Sequence, residues 1–241
     1  MDTVKVQRGN AKMVAHRGLS GIELENTCAA FVAAGNRDYY GIETDVHRTA
    51  DGAYVVIHDD NTGRVAFENI SVEGSTLAQL QAIPLKVKDG NPRSDLRIPT
   101  LDEYLKICAK YGKVCVLELK NAFPKEDVAN IVAMVKQYMT LEDIVFISFD
   151  YQNMIYLREL EKNARLQYLC GGGAKVDEEL VAKLKAYDLD LDVYFRILDK
   201  AGVDLLHANG IEINVWTVDD PTAAEQLAAW GVDYITSNIL Q

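Results

Sequence analysis

The chain has 241 residues, 49% of them apolar, and carries 36 acidic against 25 basic side chains for a net charge of −11. An apolar share of that size supplies a large core and excludes a disordered chain, while the negative charge repels polyanions and argues against nucleic acid or an anionic membrane as the main partner. No apolar run is long enough to span a bilayer and the first residues lack an apolar segment, so neither a membrane helix nor a signal peptide is expected, and the expected location is the cytoplasm.

Short β-branched runs alternate along the chain with longer amphipathic segments. Strands are predicted at 12–16, 41–47, 114–120, 144–148, 166–170, 189–192, 212–218 and 234–237, with a further strand at 54–57 folding back across Asp51-Gly52 as a hairpin. Between them the apolar spacing predicts helices at 26–34, 101–111, 125–138, 151–163, 177–185, 194–208 and 222–230. Asn153, Asp177 and Asp220-Pro221 read as helix starts, and Gly35, Gly112 and Gly210 as stops. Repeated βα units with right-handed crossovers close most simply into an eight-stranded parallel (β/α) barrel of the TIM type. The exception is 60–97, with one short helix at 76–81 amid Gly, Pro and mixed charge, which reads as an insertion on the loop after the second strand. The expectation is one domain over 1–241. Four cysteines, Cys28, Cys108, Cys115 and Cys170, form no C-x-x-C pair, and Cys108 continues the stripe Leu101, Tyr104, Leu105, so reduced, buried thiols are expected and a zinc site is not.

Chemistry concentrates where strands end, the part of such a barrel that reaches a ligand. Residues i and i+2 of a strand share a face, so Glu43 and Asp45 point together. By the same rule Val114, Val116, Glu118 and Lys120 share a face, so Glu118 can join the first two acids. Three carboxylates aimed into one mouth need a cation, and an all-oxygen set favours a hard divalent ion, Mg2+ or Ca2+. Lys120 adds a positive tip, and Arg17 offers the planar fork that grips two phosphate oxygens. Strand geometry turns Arg17 away from His16, so both reach the mouth only if the strand ends there and the chain bends at Gly18. His16 and His58 each stand at a strand-to-loop junction, flanked by Arg17 and Asp59.

Other features have plainer readings. His47 fits either the rim or a supporting place behind the acids and is left out of the site. His207 reads as a surface residue near a helix C-terminus, and Gly171-Gly172-Gly173 as a flexible loop with no helix opening after it. Trp216, close to a strand end, reads as a pocket wall.

The segments His16-Arg17-Gly18, Glu25-Asn26-Thr27, Glu43-Thr44-Asp45-Val46, Thr49-Ala50-Asp51-Gly52 and His58-Asp59 together resemble the signature of the glycerophosphodiester phosphodiesterase family in order and spacing. The resemblance continues through Ile98-Pro99-Thr100-Leu101, Glu118-Leu119-Lys120, Ser148-Phe149-Asp150 and Val215-Trp216-Thr217-Val218, nearly the whole chain. It implies a TIM-type barrel with a small insertion and metal-dependent hydrolysis of a small-molecule glycerophosphodiester to glycerol phosphate and an alcohol. It further implies His16 and His58 as the acid/base pair, with His58 more often the acid. Glu43, Asp45 and Glu118 would be the metal ligands, and Arg17 and Lys120 the phosphate-binding cations. Two departures stand out. Leu24 replaces the family's usual proline, which is expected to loosen the first βα loop, and Thr236-Ser237-Asn238-Ile239-Leu240 replaces the usual Thr-Asp and proline, which bears on how the last strand closes. Two other classes fit less well: an aldolase with a Schiff base on Lys120, which three neighbouring carboxylates oppose, and a binding protein without turnover, in which paired histidines have no use. The nucleophile is either water or the substrate's own glycerol hydroxyl.

Overall fold

The computed structural model describes residues 2–86 and 92–241; residues 87–91, within the expected insertion, lie outside the described residues. The strands are β1 (Lys12–Ala15), β2 (Gly41–Arg48), β3 (Tyr54–Val56), β4 (Val114–Leu119), β5 (Ile144–Ser148), β6 (Arg165–Cys170), β7 (Asp190–Tyr194), β8 (Ile213–Trp216) and β9 (Tyr234–Ser237). The helices are α1 (Cys28–Gly35), α2 (Leu77–Ala82), α3 (Leu101–Tyr111), α4 (Lys125–Val135), α5 (Tyr151–Leu160), α6 (Glu178–Lys185), α7 (Lys200–Ala208) and α8 (Pro221–Trp230). The sheet runs β1-β9-β8-β7-β6-β5-β4-β2 and closes through β1–β2, a parallel eight-stranded barrel, with β3 added antiparallel to β2. The expected fold class is therefore the observed one.

Apolar faces sort into three cores. One lies between barrel and helices, including Phe31, Leu105, Phe146 and Leu191. A second fills the barrel interior with Val14, Val116, Val145, Ile147 and Leu169. The third, built on Val55, Ile57, Val72, Leu80 and Ile98, sits under the excursion. Leu24 packs against this third core, and the Leu24 carbonyl accepts from Thr27 Oγ1 at 2.7 Å. Leu24 thus gives the first βα loop an apolar anchor on that core.

Several local expectations are corrected. Helix α5 is capped by Asp150, whose side chain accepts from the Asn153 N–H, so Asn153 lies one turn inside. Helix α1 begins after Thr27, since Asn26 takes a left-handed φ of 52°. Gly35 is its last residue with an ordinary φ, whereas Gly112 ends α3 in the left-handed region at φ 59°. The predicted helix at 194–208 is divided: Tyr194 completes β7, residues 195–197 make a 3-10 turn, and Asp199 caps α7 through the Gly202 N–H. Asp177 and Asp220 do cap α6 and α8. The last strand closes in full register, with Lys12, Met13, Val14 and Ala15 opposite Tyr234, Ile235, Thr236 and Ser237.

Two details aim the site. Strand β2 pairs with β1 only at Gly41 and Ile42 and with β3 only from Val46 onward, leaving the carbonyl of Glu43 to accept from the Gly18 N–H at 3.2 Å and that of Asp45 from the Ile57 N–H at 3.0 Å. Strand β1 stops at Ala15, and the chain reverses at Arg17 (φ 54°) and Gly18 (φ 75°). The bend uses Arg17 as well as Gly18, and so lets His16 and Arg17 reach the same mouth. A Cβ on Gly18 would come within 2.7 Å of the Ala30 backbone in a conformation that L side chains resist. Gly18→Ala should therefore lower stability by about 2 kcal/mol or more, read as a lower urea midpoint at unchanged slope. An unaltered midpoint would contradict this tight contact between turn and helix.

Candidate active site

Glu43 and Asp45 project from β2 and Glu118 from β4, in the register Asp45 opposite Glu118. All three are buried, and one oxygen from each lies within 4.8 Å of the others. Asp45 Oδ1 and Glu118 Oε1 have no aligned hydrogen bond, although both are enclosed. Burial and the repulsion of Asp45 hold the Glu43 carboxyl well above its ordinary value and push that of Glu118 up to about 8. Asp45 is buried as deeply, yet Arg17 and Lys120 beside it outweigh burial and hold it low. Hard oxygen donors at close spacing fit a divalent cation.

The cations are already engaged. Lys120 Nζ lies 2.9 Å from Glu118 Oε1 and 3.5 Å from Asp45 Oδ1. Burial alone would lower the Lys120 amine, but these acids raise it above its usual value, so it stays charged and is a poor Schiff-base nucleophile. The Arg17 fork gives Nη1 to Glu25 Oε1 at 2.9 Å and sets Nε 3.5 Å from Asp45, while its backbone N–H donates to Glu43 Oε2 at 2.7 Å. Glu25 is gripped in turn by the two terminal Arg64 nitrogens, Nη1 and Nη2.

The histidines are held differently. Asn238 Nδ2 donates to the Asp219 carboxylate at 2.6 Å, so its Oδ1 faces His16 Nδ1 at 2.7 Å. Since that amide oxygen only accepts, His16 carries its proton on Nδ1 and keeps a lone pair on Nε2. Burial, reinforced by Arg17, lowers the His16 pKa to about 4. His58 Nδ1 instead meets Asp59 Oδ1 at 2.6 Å, and Arg64 Nε braces the other Asp59 oxygen at 2.6 Å. Burial lowers the His58 pKa too, while Asp45 and Asp59 oppose the shift.

Of the predicted residues, His16, Arg17, Glu43, His58, Glu118, Lys120 and Trp216 line one cavity of about 320 Å³, and Asp45 lies against it through Arg17 and Lys120. Trp216 stands in its wall, edge-on to Phe149 with centroids 5.7 Å apart. A wider groove of about 720 Å³ shares His58, Glu118, Lys120 and Phe149 and runs out over Asn61, Arg64 and Asn121. Sequence reasoning passed over Asn26, whose Nδ2 donates to Asp45 Oδ2 at 2.7 Å and whose Oδ1 accepts from Thr44 at 2.6 Å. It left out His47, fully buried between Glu73 and the His58 carbonyl, with Nδ1 3.0 Å from the former and Nε2 3.4 Å from the latter. It also missed Asp192, a buried acid at an inward position of β7, the same signal that marked Glu118. His207 meets Asp233 at 3.0 Å in the last turn of α7, away from this cavity.

The glycerophosphoryl diester phosphodiesterase family model matches residues 16–240. The chain belongs to that family. Membership makes it a phosphodiester hydrolase with glycerophosphodiesters as its substrate class. It is 28% identical over 229 residues to a glycerophosphodiester phosphodiesterase of Caldanaerobacter subterraneus subsp. tengcongensis, covering 94% of this chain and 93% of that one. Among solved structures, an Oleispira antarctica phosphodiesterase in complex with the product sn-glycerol-3-phosphate superposes with a TM-score of 0.85 at 26% identity, over 98% of this chain and 96% of that one. A glycerophosphodiester phosphodiesterase from Parabacteroides distasonis gives 0.78 at 28% identity, over 95% and 93%.

The carboxylate cluster makes stability depend on pH. Glu43 and Glu118 keep protons in the folded chain at pH values where the unfolded chain has released them, so between roughly pH 4.5 and 8 the metal-free protein should lose stability as pH rises. A bound cation needs those carboxylates ionised, so the gain in melting temperature on adding Mg2+ or Ca2+ should grow from pH 5 to pH 8. A gain that is absent, or flat with pH, would separate metal binding from this cluster.

Proposed function

We propose that the chain hydrolyses its glycerophosphodiester to glycerol 3-phosphate and an alcohol with one divalent ion, Mg2+ or Ca2+, on Glu43, Asp45 and Glu118, using His16 as base and His58 as acid. The observation that carries this reading is the convergence of three buried carboxylates, two cations and two differently held histidines on one cavity at the C-terminal ends of the strands. The sn-glycerol-3-phosphate product in the Oleispira antarctica relative supports the choice of product. Bound there, the ion supplies Lewis-acid stabilisation of the charge that builds on the phosphodiester.

The remaining work belongs to the chain's own residues. Arg17 and Lys120 add fixed positive charge beside the phosphate, and Trp216 walls the pocket. His16 takes the nucleophile's proton at Nε2, the nitrogen that Asn238 leaves bare. His58, its Nδ1 braced by Asp59, gives a proton to the leaving alkoxide as the P–O bond breaks. The nucleophile is water or the glycerol hydroxyl next to the phosphate; tethering favours the hydroxyl.

We further take residues 1–241 as one barrel domain with 60–97 as an insertion, since Leu24 and Ala29 of the barrel pack on the excursion's core. Among the described residues no helix is long and apolar enough to cross a membrane. A cytoplasmic location is supported by Cys108 and Cys115, two buried thiols in contact without a bond between them. The net charge of −11 supports a small-molecule partner over a nucleic acid.

The test is single substitution of each histidine. His16→Ala and His58→Ala should each lose at least roughly 100-fold in kcat for glycerophosphocholine, with far-UV circular dichroism unchanged. The double variant should fall by less than the product, because acid and base act as a unit. A single variant with near-normal kcat would make that histidine structural.

A further inference from the structure

Beside the charged groups, the cavity is lined by Ile147, Phe149, Leu169 and Trp216, with Asp192 among them. Asp192 is an inward residue of β7, paired with Leu169 of β6 and Asn214 of β8. Its polar neighbours are spent on one another: Asn214 Nδ2 donates to Gln167 Oε1 at 3.0 Å, and Thr236 Oγ1 donates to Asn214 Oδ1 at 3.0 Å. Asp192, 2% exposed, is left out of that chain, and its Oδ1 has no partner. Trp216 Nε1, on the same cavity, is likewise buried and unpartnered. A buried carboxyl without a protein partner is costly, and one that faces a cavity is placed to meet a ligand's polar group.

We propose, resting on the reading above, that Asp192 is the glycerol-recognition residue, taking the terminal hydroxyl on the glycerol carbon farthest from phosphorus. The cavity supplies the orientation. The phosphate-directed groups His16, Arg17, Glu43, His58, Glu118 and Lys120 come from the ends of β1, β2, β3 and β4, and Asp192 comes from β7, which faces β2 across the barrel. The leaving alcohol has the wider groove past Asn61 and Arg64, where alcohols of different size fit. Burial alone pushes the Asp192 acid up to about 8, and an uncharged carboxyl both donates and accepts, as a hydroxyl does. A 1-acyl chain has no hydroxyl to offer there, so the pocket selects deacylated glycerophosphodiesters over lysophospholipids.

The experiment compares kcat/KM of wild type, Asp192→Leu and Asp192→Asn on glycerophosphocholine, glycerophosphoglycerol and a phosphocholine diester of propane-1,2-diol. The last keeps the hydroxyl next to the phosphate and lacks only the terminal one. Wild type should prefer the two glycerol substrates by roughly 10- to 100-fold, the worth of one buried hydrogen bond to a carboxyl. Asp192→Leu should erase that preference, its kcat/KM on the two glycerol substrates falling to its own value on the propanediol diester, and Asp192→Asn should keep part of it. Equal wild-type rates on glycerol and propanediol diesters overturn the assignment whether or not the leucine variant folds. A loss confined to glycerophosphocholine, sparing glycerophosphoglycerol, also overturns it, by making Asp192 a reader of the cationic headgroup. If wild type releases no glycerol phosphate from either glycerol substrate, the reading of the function itself fails instead.

Discussion

Three buried carboxylates share one wall of a barrel, with Arg17 and Lys120 as the cations set against them. Each is stripped of water, and desolvation of an ion costs several kcal/mol unless geometry returns it. Arg17 and Lys120 return part of it to Asp45, which stays ionised, while burial and the charge of Asp45 push the Glu43 carboxyl well above its ordinary value and that of Glu118 up to about 8. The rest of the mouth is organised around that imbalance. Asn26 spends its amide on Asp45, Glu25 and Arg64 brace Arg17, and the N–H of Arg17 itself closes on Glu43.

Keeping the cluster in place is a task for the strand ends. The early parting of β2 from β1 frees two carbonyls for the turn at Gly18 and for the strand end at Ile57, so both histidine-bearing junctions hang on the same strand that carries two of the acids. His16 and His58 then differ through what stands behind them. An amide oxygen orients His16 with a bare Nε2, and a carboxylate braces His58 at Nδ1. That division of partners separates two chemically identical side chains into different duties.

Much of this was legible in the residues. Glu43, Asp45, Glu118 and Lys120 announced themselves because a buried strand tolerates charge only where something offsets it, and the alternation of side chains fixed their common face. The hairpin at Asp51-Gly52 and the caps at Asp177 and Asp220 follow from short-range chemistry and need no tertiary information. What escaped needed contacts between distant segments. Asn238 reads as a change at the end of the last strand until β9 sets it against His16, 222 residues away in sequence. His47 shares the face of the acids, and only the packing of Glu73 from the excursion shows it behind His58. The helix expected over 194–208 failed for a local reason instead: apolar spacing continues across Tyr194 to Leu198, but Asp199 caps the helix after them. Asp192 carried the same signal as Glu118, an acid at the inward end of a strand, and was passed over because no second carboxylate from another strand was matched to it in the sequence.

If the acidic cluster holds a cation for phosphodiester hydrolysis, activity must follow the metal. The most direct measurement is glycerol 3-phosphate release from glycerophosphocholine by protein stripped with EDTA and then resupplied. Release should vanish in the stripped protein and return with Mg2+ or Ca2+, and Glu118→Gln should stay inactive at metal concentrations that restore the native chain. Undiminished release in metal-free buffer would contradict the claim and leave the three carboxylates without a purpose.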